Sequence, residues 1–311
     1  MSRPLARLRR LLLEPPAPLA AVEVRTRGIG VVRLTREGGR LRLGAAASLE
    51  LPEGALVPSM TQPNLADPEA FRRVLGTALE RAGALDCGGI ALVLPDPVAR
   101  VALVPAAEAR AARAAETEEL LRFRLRKSVP FEIRQARLAW TPGEPDWLVA
   151  AIFGPVLEEY ETACRFFGLR PGLVELAGLS VFDAALARRA ADDRLIVNWD
   201  DDYVSFLLSR GGRLSLVRTL AGPGAANAEN VAREASQTVL YYRDRLQGAG
   251  LAGATLRVTA RPADEAVALL AEPLGLSAEV LDPWGPLAAA AQGAVGQALA
   301  GAASSLLRSA A

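Results

Sequence analysis

From Leu19 onward, short apolar runs alternate with polar turns. Leu19 to Val24, Gly30 to Thr35 and Leu41 to Leu51 predict three strands of a meander, with a turn at Glu37-Gly38-Gly39. Asp67-Pro68-Glu69 then opens a helix, because an acidic cap with proline at the first helical position satisfies free N–H groups and presets φ. Phe71, Val74, Leu75, Ala78 and Leu79 follow at helical spacing, and Gly88 to Asp96 (GGIALVLPD) reads as a buried strand. Meander, helix and strand in that order predict an α/β protein with helices packed on a mixed sheet.

Between Val101 and Phe153 the pattern changes. Glu108, Glu116, Glu118 and Glu119 precede Arg122, Arg124, Arg126 and Lys127, a charge order that complements a helix dipole, and Pro130 ends the helix. Gln135 to Trp140 and Trp147 to Phe153 predict two strands around the turn at Pro142-Gly143-Glu144-Pro145, giving a small helix-plus-hairpin insertion. Leu157 to Gly168 resumes a helix, Gly172 to Leu176 a strand, and Ser180 to Ala191 a helix.

At Leu195 the order restarts. Leu195 to Trp199, Tyr203 to Ser209 and Arg213 to Leu220 predict a second meander. A helix over Asn227 to Leu246, a strand at Leu256 to Thr259, a helix at Ala263 to Leu270 and a strand at Ser277 to Leu281 follow. The chain therefore divides into a basic segment 1–18, a first lobe 19–193 carrying the insertion at about 101–153, a second lobe 194–300 and a tail 301–311. Ala288 to Ala300 is expected to be the last helix, with the tail frayed.

Composition narrows the chemistry. With 36 basic and 35 acidic residues in 311, no global field draws the chain to nucleic acid. Histidine is absent, which excludes imidazole catalysis and histidine zinc sites. Lys127 is the single lysine and follows Arg126 rather than glycine, so no P-loop is present. Cys87 and Cys164 have no metal-ligand spacing and fit a reducing compartment. No run reaches the ~18 apolar residues of a spanning helix. In the head, Leu5, Leu8 and Leu12 share a helical face flanked by Arg3, Arg7, Arg9 and Arg10. Residues 1–13 could thus make a peripheral contact with an anionic membrane, or form a tail, or pack on their own domain.

The duplicated order, together with "LLRFRLRKSVPFEI", "FFGLRPGLVELAGLSVFDAA", "RGGRLSLVRTLAGPG", "VAREASQTVLYYRDR" and "AVGQALA", resembles the PilM family of type IV pilus assembly proteins, on the FtsA branch of the actin-like superfamily. The resemblance runs from about Leu19 to Ala300. It implies an actin-like fold of two ribonuclease-H-like lobes and a cytoplasmic scaffold under the inner membrane. Such a scaffold captures the N-terminal peptide of a PilN-like membrane protein and works beside pilus motor and platform proteins, without nucleic acid. For that peptide, Leu121, Phe123, Leu125, Pro130 and Phe131 of the insertion are the candidate wall, although the same residues at helical and turn spacing also read as core. The alternatives are an ATP-binding ATPase whose nucleotide gates partner binding, and a GspL-like platform protein of type II secretion.

The resemblance also implies two Asp-x-Gly phosphate hairpins, and here they are degenerate. The first falls on Glu23-Val24-Arg25 and the second on Asn198-Trp199-Asp200, while the third loop, Thr259-Ala260-Arg261-Pro262, lacks glycine. No catalytic residue, metal ligand or bound cofactor is expected, although Glu23 and Asp201 could hold magnesium with ATP if the register shifts by one. Two other readings of Asp200 to Asp202 stand beside that one: Arg25 crosses the cleft to pair with Asp200 or Asp201, or the acids cap a solvated turn.

Overall fold

The computed structural model describes residues 17–38, 40–110, 113–187, 192–284 and 295–310. The first lobe opens with β1 (Ala20–Arg25), β2 (Gly28–Glu37) and β3 (Arg40–Glu50), an antiparallel meander. A loop leads to α1 (Pro68–Arg81), where the Asp67 side chain accepts the Ala70 N–H at 2.9 Å, and then to β4 (Gly89–Leu94). β4 pairs parallel with β1, so β1 becomes an interior strand and is buried along its whole length. Interior strands of this kind are normally apolar throughout. Glu23 and Arg25 within β1 are therefore exceptions that need partners.

The insertion contains β5 (Ala99–Pro105), α2 (Ala106–Ala109), α3 (Ala114–Leu125), β6 (Ala136–Thr141) and β7 (Asp146–Phe153). Its strands form a separate antiparallel sheet in the order β5-β7-β6. The single helix expected up to Lys127 is interrupted: Arg110 has extended backbone (φ −86°, ψ 126°) and closes α2 after one turn. Helix propensity is a weak determinant even for alanine, the best helix former, and packing decides where the element stops. The chain returns through α4 (Gly154–Arg165) to β8 (Arg170–Leu176), which completes the first sheet as β3-β2-β1-β4-β8, and continues into α5 (Ala177–Leu186).

The second lobe repeats the plan with β9 (Arg194–Trp199), β10 (Tyr203–Arg210), β11 (Arg213–Ala221), α6 (Ala228–Asp244), β12 (Gly253–Val258), α7 (Ala263–Leu274) and β13 (Ala278–Val280). Its order, β11-β10-β9-β12-β13, matches the first sheet position for position. The duplication read from the apolar runs is thus a duplication of topology.

After the second sheet come α8 (Val295–Ala298) and α9 (Ala300–Ala310). The tail expected to fray beyond Ala300 is instead a helix with Ala300, Ala302, Ala303, Ser304, Ser305 and Leu306 buried. It returns to the first lobe and packs on β1, β2, β4 and α5. Small side chains allow this close approach; at Gly30 of β2 a Cβ would lie 2.7 Å from the Leu299 side chain. Helix α5 in turn touches β4 and β8 of one sheet and β9 and β10 of the other, so α5 and α9 occupy the seam between the lobes. The basic segment Ser2 to Leu13 lies outside the described residues.

Candidate functional site: the inter-lobe cleft and a groove beside the inserted sheet

Arg257 lies on β12 opposite Asn198 of β9, in the middle of a wholly buried strand. Its Nη2 donates to Glu23 Oε1 at 2.6 Å, and its Nη1 donates to Asp200 Oδ2 at 2.8 Å and Asn198 Oδ1 at 3.0 Å. Its Nε donates to the Gln297 carbonyl at 3.1 Å. Arg257, Glu23, Asn198 and Asp200 are all 0% exposed. One guanidinium therefore joins β1 of the first lobe to the hairpin tip of the second.

Both oxygens of Glu23 are engaged, because Oε2 accepts the Ala302 N–H of α9 at 2.9 Å and caps that helix. The contact depends on Gly301, where a Cβ would sit 2.8 Å from the Glu23 carboxyl carbon. A second bridge runs alongside. Asp96, just past β4, accepts from Asn198 Nδ2 at 2.9 Å and from the Gly178 N–H at the start of α5 at 2.7 Å.

The electrostatics follow from burial and pairing. Burial pushes the Glu23 carboxyl above its ordinary value, and the nearby Arg257 and Arg25 charges offset this only in part. Burial acts the same way on Asp96, against hydrogen bonds from Ser205, Gly178 and Asn198. For Asp200 burial works upward too, but the Arg257 and Arg25 charges outweigh it and hold the carboxyl below its ordinary value. Arg257 is held charged, because Glu23 and Asp200 overcome its desolvation.

Of the residues expected here, Glu23, Asn198 and Asp200 meet, while Arg25 makes no ion pair across the cleft and acts on Asp200 only through its charge. Its Nη2 stays in its own lobe on Ser48 Oγ of β3, at 3.1 Å. The cation that pairs with Asp200 is Arg257, which sequence reasoning missed. The available signal was an arginine inside the apolar run GATLRV, since a fully buried arginine is found only with partners. The three aspartates have three different positions: Asp200 is buried, Asp201 is half-buried and Asp202 is exposed. Asp201 donates its backbone N–H to Asp200 Oδ1 at 2.8 Å; burial and the Asp200 charge push its own carboxyl up to about 6.

A magnesium nucleotide fits this arrangement poorly. The expected metal ligands are Glu23 and Asp201. Both Glu23 oxygens already accept hydrogen bonds, Arg257 engages Asp200 beside Asp201, the Asp201 carboxyl is itself pushed toward its neutral form, and among the described residues no group of three or more His, Cys, Asp or Glu could hold a metal. At the third loop Arg261 stacks on Trp199, 4.4 Å from the ring centre. Outside the network the cleft opens into a cavity of about 590 Å³, bounded by Thr26 and Arg27 on one side and by Asp201, Asp202 and Gly222 on the other.

The second feature is a groove of about 420 Å³ between the inserted sheet and the first lobe, lined by Ala139, Leu148, Ile152, Leu173 and Leu179, with Arg308 at one margin. β6 and β8 border it, each at the edge of its sheet. The expected wall lies elsewhere. Leu121 and Leu125 are 0% and 2% exposed and pack on Trp147 and Val149 of β7, whereas the groove uses Leu148, Ala150 and Ile152, the alternate residues of the same strand. Side chains alternate across a strand, so helix α3 and the groove occupy opposite faces of the inserted sheet. Phe131 packs on Phe153, with ring centres 5.1 Å apart. Pro130 and Phe123 remain exposed, Phe123 beneath Arg126.

Two equivalent five-stranded lobes joined at a buried seam make an actin-like fold. Solved structures share it to different degrees. A chain of the "PilM-PilN type IV pilus biogenesis complex" superposes with a TM-score of 0.78 at 21% identity, covering 96% of this chain and 100% of that one. A Bacteroides thetaiotaomicron protein with an actin-like ATPase fold gives 0.54 at 9% identity over 86% of this chain and 91% of that one. The ethanolamine utilization protein EutJ of Carboxydothermus hydrogenoformans gives 0.50 at 10% identity over 98% and 99%. No protein-family model and no curated protein matches. The chain thus has the actin-like fold and is similar in structure to the PilM–PilN complex chain over nearly its whole length.

Proposed function

We propose that this chain is a non-catalytic scaffold of type IV pilus assembly that captures the N-terminal peptide of a PilN-like inner-membrane protein. The observation that carries the reading is the apolar groove beside the inserted sheet, bordered by the edge strands β6 and β8, in a chain whose fold matches one taken from a PilM–PilN complex. An extended peptide can add to a free strand edge through backbone hydrogen bonds while its apolar side chains fill the adjoining pocket. The scaffold works at the cytoplasmic face of the inner membrane beside the pilus motor and platform proteins. Its cleft takes no ATP: the Arg257 guanidinium lies between the carboxylates that would organise magnesium, and neutralises them internally.

Calorimetric titration of the full chain tests both halves. A synthetic peptide of the cytoplasmic N-terminus of a PilN-like protein should bind in the micromolar range, and Ala150→Arg in the groove should abolish the heat. Magnesium ATP should give neither heat nor a rise in Tm. Undetectable peptide binding would overturn the scaffold, and micromolar ATP binding would overturn the closed cleft.

A further inference from the structure

The groove does not end at the inserted sheet. A second cavity, of about 490 Å³, adjoins it, and Thr141, Leu148, Phe182 and Leu214 line both. Phe182 on α5 and Leu214 on β11 belong to one packed cluster, so the junction is apolar. Beyond it the chemistry changes. The second cavity runs between the turn Pro142 to Pro145 of the inserted sheet and the hairpin Arg210 to Ser215 of the second lobe. Gly211 and Gly212 have φ of +53° and +78° at that hairpin's tip, which keeps the turn tight. Arg213 Nη1 donates to the Glu144 carbonyl and so spans the two turns.

The charges here are matched. Glu144 is paired with Arg110 at 2.9 Å and Arg210 approaches Asp193 at 3.9 Å, while Arg213 and Asp146 line the cavity with opposite signs. Such a surface favours backbone and uncharged polar groups over a charged side chain.

We propose that the peptide of the preceding reading, on which this inference rests, is read in two consecutive segments. Its apolar run fills the groove beside β6 and β8, and the polar residues that follow enter the second cavity, where their carbonyl groups take the Arg213 guanidinium over from the Glu144 carbonyl. The second lobe is then part of the peptide site, with Arg213 and Ser215 as affinity determinants. An extended chain advances about 3.3 Å per residue, so a few residues past the apolar run reach the second lobe.

Fluorescence anisotropy with two labelled peptides of the PilN-like N-terminus tests this on the full chain. One peptide stops after the apolar run and the other continues through the polar residues that follow. The longer peptide should bind about tenfold more tightly. Arg213→Glu, an exposed change, and Ser215→Trp, which fills the second cavity, should each bring the longer peptide down to the affinity of the shorter and leave the shorter unchanged. Equal affinity of the two peptides for the unmodified chain would overturn the inference, as would equal weakening of both peptides by the variants. If neither peptide binds, the peptide reading falls and this one with it.

Discussion

Arg257 Nη2 and Glu23 Oε1 lie 2.6 Å apart across the boundary between the lobes, and both side chains are 0% exposed. Removing one partner of such a pair leaves a buried charge without compensation, which typically costs ~3–5 kcal/mol. Arg257→Ala strands two carboxylates, Glu23 and Asp200, so its cost should lie at the upper end of that range in urea denaturation. The triple variant Glu23→Gln, Asp200→Asn, Arg257→Leu should recover much of the loss, because no charge then remains buried. An Arg257→Ala loss below ~1 kcal/mol would mean the network contributes little to holding the lobes together.

How much of this can be read in advance depends on what each feature leaves in the sequence. The two halves are legible because strand runs and glycine turns are local patterns, and the hairpin positions put Glu23, Asn198 and Asp200 at one site. Arg257 is hidden because the β9–β12 pairing joins strands that are not consecutive in the chain. The groove and the expected wall fall on opposite faces because Leu121 and Leu125 have the spacing of a core, and that spacing does not say which side of the inserted sheet they serve. Helix α9 escapes a reading of apolar runs because its burial comes from alanine and serine fitting against β1 and β2.

Gly301→Ala reverses an ordinary expectation. Alanine in place of glycine in a helix normally stabilises by up to ~1 kcal/mol. Here the added Cβ would lie 2.8 Å from the Glu23 carboxyl carbon and displace the group that caps α9 and binds Arg257. The variant should lower Tm, and a raised Tm would show that the carboxylate moves aside without loss.

Two neighbours on α3 separate core from surface. Leu121 is 0% exposed and packs under the inserted sheet, so Leu121→Ala should cost ~2–5 kcal/mol. Phe123 is 54% exposed, and Phe123→Ser should stay within about 0.5 kcal/mol. Both variants should bind the proposed peptide as the unmodified chain does while folded, since the groove lies on the other face. A selective loss of peptide affinity in Phe123→Ser would return the binding site to the helix side.

Asp201 makes stability depend on pH in a defined direction. Burial, the Asp200 charge and a hydrogen bond with Asp200 raise its carboxyl from 3.8 to about 6 in the fold. Because the folded value is the higher one, the fold favours the protonated acid. Its contribution is complete below pH 3.8 and is lost as pH rises through about 6. The side-chain amide introduced by Asp201→Asn keeps a donor toward Asp200 and carries no charge, so this variant escapes that loss. Asp201→Asn should therefore melt above the unmodified chain at pH 7.5, with a margin that shrinks below pH 6 and closes near pH 4. Since Asp201 is only half-buried, solvent screening keeps the margin to a few degrees or less. A variant that melts lower at pH 7.5, or whose margin does not change with pH, would mean that Asp201 faces water and leaves the carboxylate contact at this hairpin to Asp200 alone.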